Sequence, residues 1–365
     1  MSVIEADVVV VGGGVMGSAA AWQLAARGAD TVLLERFEPG HVRGASHGAS
    51  RMFRYAYPDP FYVDLVARSL PLWREIETAS STSLLTITGG VDHGDSAGTQ
   101  AIADAMDAAG AQRQWVDPDE AAQRWPGLRF ATPVLYHPDS GRLNADAAVL
   151  ALQRVAAAHG ARVQHRARVT RVEPGEVSVG ADTYRARRIV VAAGAWTRSL
   201  LGERLIALPP LRVTQEQPLH VADRQPGEWL NFIHHRGGVL APFEFVYGML
   251  TPGEGVKVGF HHGGPQCDPD ARDFLPEPSR LATLLDYVRE WVPGVDAADW
   301  TPISCTYTST DNEDFVIDAA DGLVVAAGFS GHGFKFAPLV GQLLADLALD
   351  GTDPPERFRL GARSR

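Results

Sequence analysis

Val8-Val9-Val10-Val11-Gly12-Gly13-Gly14-Val15-Met16-Gly17 is the stretch on which the fold turns. Residues 6–11, Ala-Asp-Val-Val-Val-Val, form the apolar run that a parallel strand needs when both of its faces are buried. Gly12, Gly14 and Gly17 follow in G-x-G-x-x-G spacing. Met16 to Arg27 has helical character through Ala19, Ala20, Ala21, Leu24 and Ala25, and Gly28 stops it. A second strand, Thr31 to Leu34, ends in the acid Glu35. In such a unit Gly12 makes the tight turn, Gly14 admits a pyrophosphate to the backbone and Gly17 lets helix and strand pack closely. The helix N-terminus then offers free N–H groups to the phosphates. Glu35 is placed to accept hydrogen bonds from a ribose. Strand, turn, helix, strand and acid in this order predict a dinucleotide site, and leave FAD and NAD both open.

The 365 residues exceed one ordinary core and suit two interleaved domains. An apolar content of 45% supports a sizeable core. The net charge of −11 repels phosphate backbones, which argues against nucleic acid as a partner. The chain enters its first strand without a basic leader, and no apolar run approaches the roughly 20 residues of a membrane span. A soluble cytoplasmic protein without a membrane partner is expected. The two cysteines, Cys267 and Cys305, are too few for a disulfide framework or a four-cysteine zinc site.

Only two of the 33 basic residues are lysine, Lys257 and Lys335. Arginine serves an exposed surface as well as lysine, so surface lysine can drift away, whereas a site needing a compact ammonium resists that drift. Val256 to His262 reads as a strand in a largely antiparallel region, after a strand at Val239 to Leu250 and the turn at 251–255. Alternation then puts Lys257, Gly259 and His261 on one face and Val256, Val258 and Phe260 on the other. Helices are expected at 61–80, 98–110 and 146–159, and a strand at Val163 to Val172. Arg188 to Ala192 runs into Ala193-Gly194-Ala195-Trp196, a junction suited to close approach of a cofactor. Neither His234-His235 nor His261-His262 predicts a metal site, because adjacent strand residues point opposite ways and no H-E-x-x-H occurs. Near the C-terminus, paired strands at Phe315 to Asp318 and Leu323 to Ala327 lead through Gly328-Phe-Ser-Gly-His-Gly-Phe-Lys335 into a helix, Ala337 to Leu349. Gly328-Phe-Ser-Gly-His misses the nucleophile-elbow pattern at its last position, which argues against a serine hydrolase.

Five blocks carry a resemblance: Gly-Ala-Ser-His-Gly-Ala-Ser-Arg-Met-Phe-Arg (44–54), Tyr247-Gly, Lys257-Val-Gly-Phe-His261, Cys305-Thr-Tyr307-Thr, and Gly328 through Lys335-Phe336. In these blocks and their order the chain resembles the monomeric sarcosine oxidase and N-methyltryptophan oxidase family, within the wider D-amino-acid-oxidase-like flavoproteins. The resemblance runs from the first strand to the final helix. It implies a two-domain α/β (α+β) fold, with a Rossmann-type FAD-binding domain at 1–80, 145–210 and 305–365. A substrate domain on a largely antiparallel sheet would take 81–144 and 211–304.

By the same resemblance, Cys305 looks like the cysteine that bonds the 8α-methyl of FAD as a thioether. Lys257 looks like the lysine that activates O2 beside the flavin. Arg54 and Lys335 look like the holders of the substrate carboxylate, and Arg51 like a flavin-side arginine. Tyr247, His261, Tyr307 and His332 look like further active-site groups. Val15, Met16, Arg36, Ser46, Ser50, Val169, Gly194, Trp196, Gly328, Gly331, Gly333, Phe334 and Lys335 join Gly12, Gly14, Gly17, Glu35, Arg51 and Cys305 as expected cofactor contacts. The implied reaction takes a secondary, N-methyl amino acid to an imine, which hydrolyses, with O2 reduced to H2O2 by a monomer. Cyclic imino acids (pipecolate, proline) and sugar-modified amino acids share the carboxylate clamp. Residues 231–240 differ in character from the family's pocket wall, so the side chain of the substrate stays open. An NAD-dependent dehydrogenase and a non-catalytic flavin sensor are readings from other classes.

Overall fold

A computed structural model describes residues 2–224, 229–236 and 245–360. Its first sheet grows from the opening motif. Strand Val3–Val11 pairs in parallel with Thr31–Leu34 on one side and Asp182–Val191 on the other. Arg162–Gln164 extends the sheet beyond Thr31–Leu34, and Leu323–Ala327 pairs in parallel with Asp182–Val191. Val8 to Val11 and Thr31 to Leu34 are all buried, as helices on one face and further chain on the other require. Helix Val15–Ala26 lies against helices Ala145–Ala158 and Ala337–Leu349. A Cβ at Gly17 would stand 1.9 Å from the Gly12 carbonyl oxygen, so only glycine permits this helix–turn contact. Gly12 adopts φ +106°, outside the range of ordinary residues.

The C-terminus completes the same sheet. Val316–Ala320 pairs antiparallel with Leu323–Ala327, and the chain then enters Ala337–Leu349. The two glycine-rich junctions, far apart in sequence, therefore open from the two strands that flank Asp182–Val191.

The second large sheet runs Val295–Pro302, Leu219–Asp223, Gly255–Phe260, Phe245–Thr251, Asn231–His235, Gly90–Gly94, Val134–His137, Gln114–Val116. It is antiparallel except where Asn231–His235 meets Gly90–Gly94. One face buries Val221, Val246, Val256 and Val258 with Leu284 and Val288 of helix Pro278–Trp291. Cross-strand pairing gives the other face His220, Lys257, Tyr247, Ile233, Asp92 and His235. A two-stranded ribbon, Arg212–Glu216 with Cys305–Ser309, carries Cys305 opposite Glu216.

One expected strand is divided in two. Val163 to Val172 is not continuous: Arg162–Gln164 joins the parallel sheet, and Val169–Glu173 turns away to pair antiparallel with Glu176–Val179. Between them Arg166 has φ +59°, and Arg166 and Ala167 donate to the carbonyls of Phe37 and Glu35. Local hydrogen bonding to the segment after Glu35 breaks the strand that alternation suggested. Within Val239 to Leu250, residues 239–244 lie outside the described residues, and the described part belongs to strand Phe245–Thr251. The helices at 61–80, 98–110 and 146–159 are found at Pro60–Ser80, Ser96–Ala108 and Ala145–Ala158.

Candidate active site

A cavity of about 590 Å³ runs from the Gly12–Met16 turn to Cys305. Of the expected cofactor contacts, Gly12, Gly14, Val15, Met16, Glu35, Arg36, Ser46, Arg51, Val169, Gly194, Trp196, Cys305, Gly328, Gly331, Gly333 and Phe334 line it. Gly17, Ser50 and Lys335 do not. Gly17 is spent on the helix–turn contact. The Ser50 hydroxyl lies 2.6 Å from that of Thr251, and Lys335 points towards Tyr57.

At the dinucleotide end, Glu35 Oε2 accepts from Gly13 N at 2.6 Å and Oε1 from Phe37 N at 2.8 Å. Burial alone would raise this carboxyl, but hydrogen bonds from His41 and from those backbone groups hold it below its usual value. Ser46 Oγ accepts from Val15 N, which fixes the start of the helix. Asp270 joins the far rim by accepting from Trp196 Nε1 at 2.9 Å and pairing with Arg36 at 2.8 Å.

At the other end Cys305 is buried, with Arg51 Nη2 3.7 Å from its Sγ. Arg51 is fixed by donating to the carbonyls of Ser50 and Ala45. Arg272, also buried, donates to the carbonyls of Val42 and Arg43 while its Nε and Nη1 find no partner among the described residues. Cationic guanidinium therefore surrounds the sulfur. The elongated cavity, the glycine-lined junctions at both ends and the carboxylate beside the Gly13 amide fit FAD.

Both lysines are buried, Lys257 at 5% exposure and Lys335 at 4%. Lys257 shares its sheet face with Tyr247, and its ammonium has no hydrogen-bond partner among the described residues. Burial, reinforced by Arg51, lowers its pKa to about 7. Lys335 donates to Tyr57 Oη and to the His332 carbonyl, each at 2.7 Å. Burial, then Arg54, pulls its pKa well below the lysine norm. The Arg54 guanidinium lies 4.5 Å from the Tyr57 ring centre and donates to the Ala56 carbonyl. His332 Nδ1 faces Tyr57 Oη at 3.2 Å and its Nε2 faces the Glu313 carbonyl at 3.2 Å. Tyr307 Oη lies 3.4 Å from His261 Nδ1 and is hydrogen-bonded to Tyr247. Burial and nearby cations hold His261 and His332 neutral at ordinary pH. A Cβ at Gly331 would strike the Tyr307 ring at 2.2 Å, so the glycine-rich segment is shaped to this tyrosine.

The site contains groups that the sequence did not single out. Tyr57 ties Lys335 to His332, and only its position three residues after Arg54 hinted at it. Phe245 stacks on His261 at 4.4 Å. Asp92, fully buried, lies 2.9 Å from His137 Nε2 and 2.7 Å from His235 Nε2, on the sheet face that bears Lys257. The expected divergence of His261 and His262 fails. The strand ends at Phe260 and His262 adopts φ +56°, so the two rings lie 4.1 Å apart.

Fold and cavity together fit a dinucleotide-dependent oxidoreductase. The profile described as DAO, FAD dependent oxidoreductase, matches residues 7–347, and the chain belongs to that family. This decides between the two dinucleotides in favour of FAD. The chain is 35% identical to monomeric sarcosine oxidase of Bacillus sp. (strain B-0618), over 94% of this chain and 92% of that one. It is 29% identical to N-methyl-L-tryptophan oxidase of Salmonella arizonae, over 95% of each. Among solved structures, NikD, an unusual amino acid oxidase essential for nikkomycin biosynthesis, superposes with a TM-score of 0.87 at 28% identity, covering 98% of this chain and 97% of that one.

Proposed function

We propose that this protein is an oxidase of a secondary, N-methyl amino acid such as sarcosine, with its FAD bonded through the 8α-methyl to Cys305. The observation that carries the reading is the burial of both lysines, in a chain whose other basic residues are all arginine. Burying an ammonium is costly unless an anion or a developing charge repays it. FAD, when bound, takes a hydride equivalent from the carbon beside the substrate nitrogen and passes two electrons to O2, giving H2O2.

The protein's own groups supply the rest. Arg54 and Lys335 hold the substrate carboxylate, Arg54 as a planar fork and Lys335 as a point charge. Tyr57 and the His332 carbonyl hold Lys335 in place. Neutral His261 and His332 add no cationic repulsion towards an amine. Lys257 in its protonated form stabilises negative charge developing on oxygen. A cysteine attacks as its thiolate, and Arg51 and Arg272 put positive charge where that form needs it. We assign residues 1–80, 145–210 and 305–365 to the FAD domain, 81–144 and 211–304 to the substrate domain, and a monomeric, cytoplasmic state to the enzyme.

The test combines two assays. Peroxide release is measured across N-methyl and cyclic amino acids, and the yellow protein is precipitated with acid. The reading predicts peroxide from an N-methyl amino acid and colour in the pellet. Absence of peroxide from every amino acid contradicts the oxidase assignment, and colour in the supernatant contradicts the thioether.

A further inference from the structure

His261 and His262 are consecutive, yet the left-handed turn at His262 brings their rings to the same side, with centroids 4.1 Å apart and planes at 65°. Glu313 meets them from the turn between Cys305–Ser309 and Val316–Ala320. It too sits on a left-handed backbone, φ +63°, and its Oε1 lies 2.7 Å from His262 Nε2. One ligand atom from each of the three residues falls within a span of 4.8 Å. A tetrahedral zinc ion with bonds of about 2.0–2.1 Å needs its ligand atoms about 3.4 Å apart. Rotation of the three side chains is the movement that would draw them to that spacing. Non-glycine residues on left-handed backbone are uncommon and concentrate where a site over-determines them. Here two of the three prospective ligands are such residues.

We propose that His261, His262 and Glu313 form a zinc-binding site at the substrate end of the active centre, and that zinc bound there inhibits the enzyme. Two imidazoles and one carboxylate are a donor set that zinc accepts with a fourth, open position. His261 lies beside Tyr307 and stacks on Phe245, whose ring is 5.8 Å from the Arg54 guanidinium. An ion on His261 therefore stands where the substrate's amine and carboxylate must enter. Glu313 supplies the only anionic ligand of the three, and Arg54 and Lys335 nearby oppose the added positive charge. Binding weaker than that of a permanently loaded structural zinc follows.

The inhibition half of the proposal rests on the substrate site assigned above; the binding half does not. Calorimetric titration of the holoenzyme with zinc chloride in a non-chelating buffer reads binding directly. One zinc per chain is expected, with affinity reduced at least about tenfold in Glu313→Gln and in His262→Asn. Neither residue belongs to the proposed clamp, so flavin absorbance and turnover without zinc stay within about twofold of wild type in at least one variant. In kinetics zinc raises KM and leaves kcat. The proposal is overturned if wild type binds no zinc, or if both variants bind it as tightly as wild type. Loss of binding in His235→Asn alone would move the ion to the separate His93, His234, His235 cluster and equally overturn it. Stoichiometric binding lost in the variants, without inhibition, would keep the metal site and refute its position at the substrate entrance.

Discussion

The Lys335 ammonium donates to the Tyr57 hydroxyl at 2.7 Å, and that hydroxyl lies 3.2 Å from His332 Nδ1. Because Lys335 can only donate, the Tyr57 proton is directed at His332, whose Nε2–H is left to meet the Glu313 carbonyl. The arrangement fixes one tautomer of His332 and one position of the lysine. With Lys335 on the substrate carboxylate, as proposed, Lys335→Met removes a charged hydrogen bond and should cost about 2 kcal/mol, or roughly thirtyfold in kcat/KM. Tyr57→Phe keeps the charge and loses only its orientation, so a smaller rise in KM, about three- to tenfold, is expected. Steady-state kinetics with the free amino acid and with its carboxamide checks both variants. The carboxamide should be far less sensitive to Lys335→Met.

Lys257 makes stability depend on pH. Its pKa is lowered from 10.5 to about 7 by burial, with Arg51 contributing. Between those values the unfolded chain binds a proton that the folded chain does not, so this group makes stability rise with pH from about 7 to about 10.5. Below about 7 its penalty is fully present. The whole shift corresponds to at most about 5 kcal/mol. Denaturation midpoints of wild type and Lys257→Met at neutral and alkaline pH test this. The variant should be the more stable at neutral pH, and its advantage should shrink as pH rises.

Asp92 is a fully buried carboxylate between His137 and His235. Burial works against its charge, but the hydrogen bonds from His137 and His235 outweigh that and hold it well below the usual carboxylate range. Its contribution is therefore present above the unfolded value near 4 and is lost as pH falls towards the folded one. Asp92→Asn breaks a buried ionic hydrogen-bond pair and should cost about 3 kcal/mol in urea unfolding at pH 7.

Cys305→Ser removes the sulfur without disturbing the ribbon pairing opposite Glu216. The flavin should then bind noncovalently and pass into the supernatant on acid precipitation. The variant's reduction potential should fall, since the proposed thioether would withdraw electron density from the ring.

The dinucleotide end was legible because its physics is local: a strand, a tight turn and a helix N-terminus lie within residues 3–17, Gly12 and Gly17 among them. Both lysines were flagged by scarcity, and both proved buried. Tyr57, Arg272, Phe245 and Asp92 escaped notice because their roles depend on other chain segments, as far as 278 residues away in the Lys335–Tyr57 contact. Strand alternation misjudged His262, since a single left-handed residue at a strand end reverses where its ring points. It misjudged Val163 to Val172 for a similar reason, at Arg166.

In the proposed function Lys257 is the group that lets reduced enzyme react with oxygen. The most direct measurement is the rate at which anaerobically substrate-reduced holoenzyme is reoxidised on mixing with O2, in wild type and in Lys257→Met. Loss of one preorganised positive charge at a developing oxyanion predicts a slowing of about 10²- to 10³-fold, with the anaerobic reduction step changed far less. Equal reoxidation rates in the two proteins would contradict it.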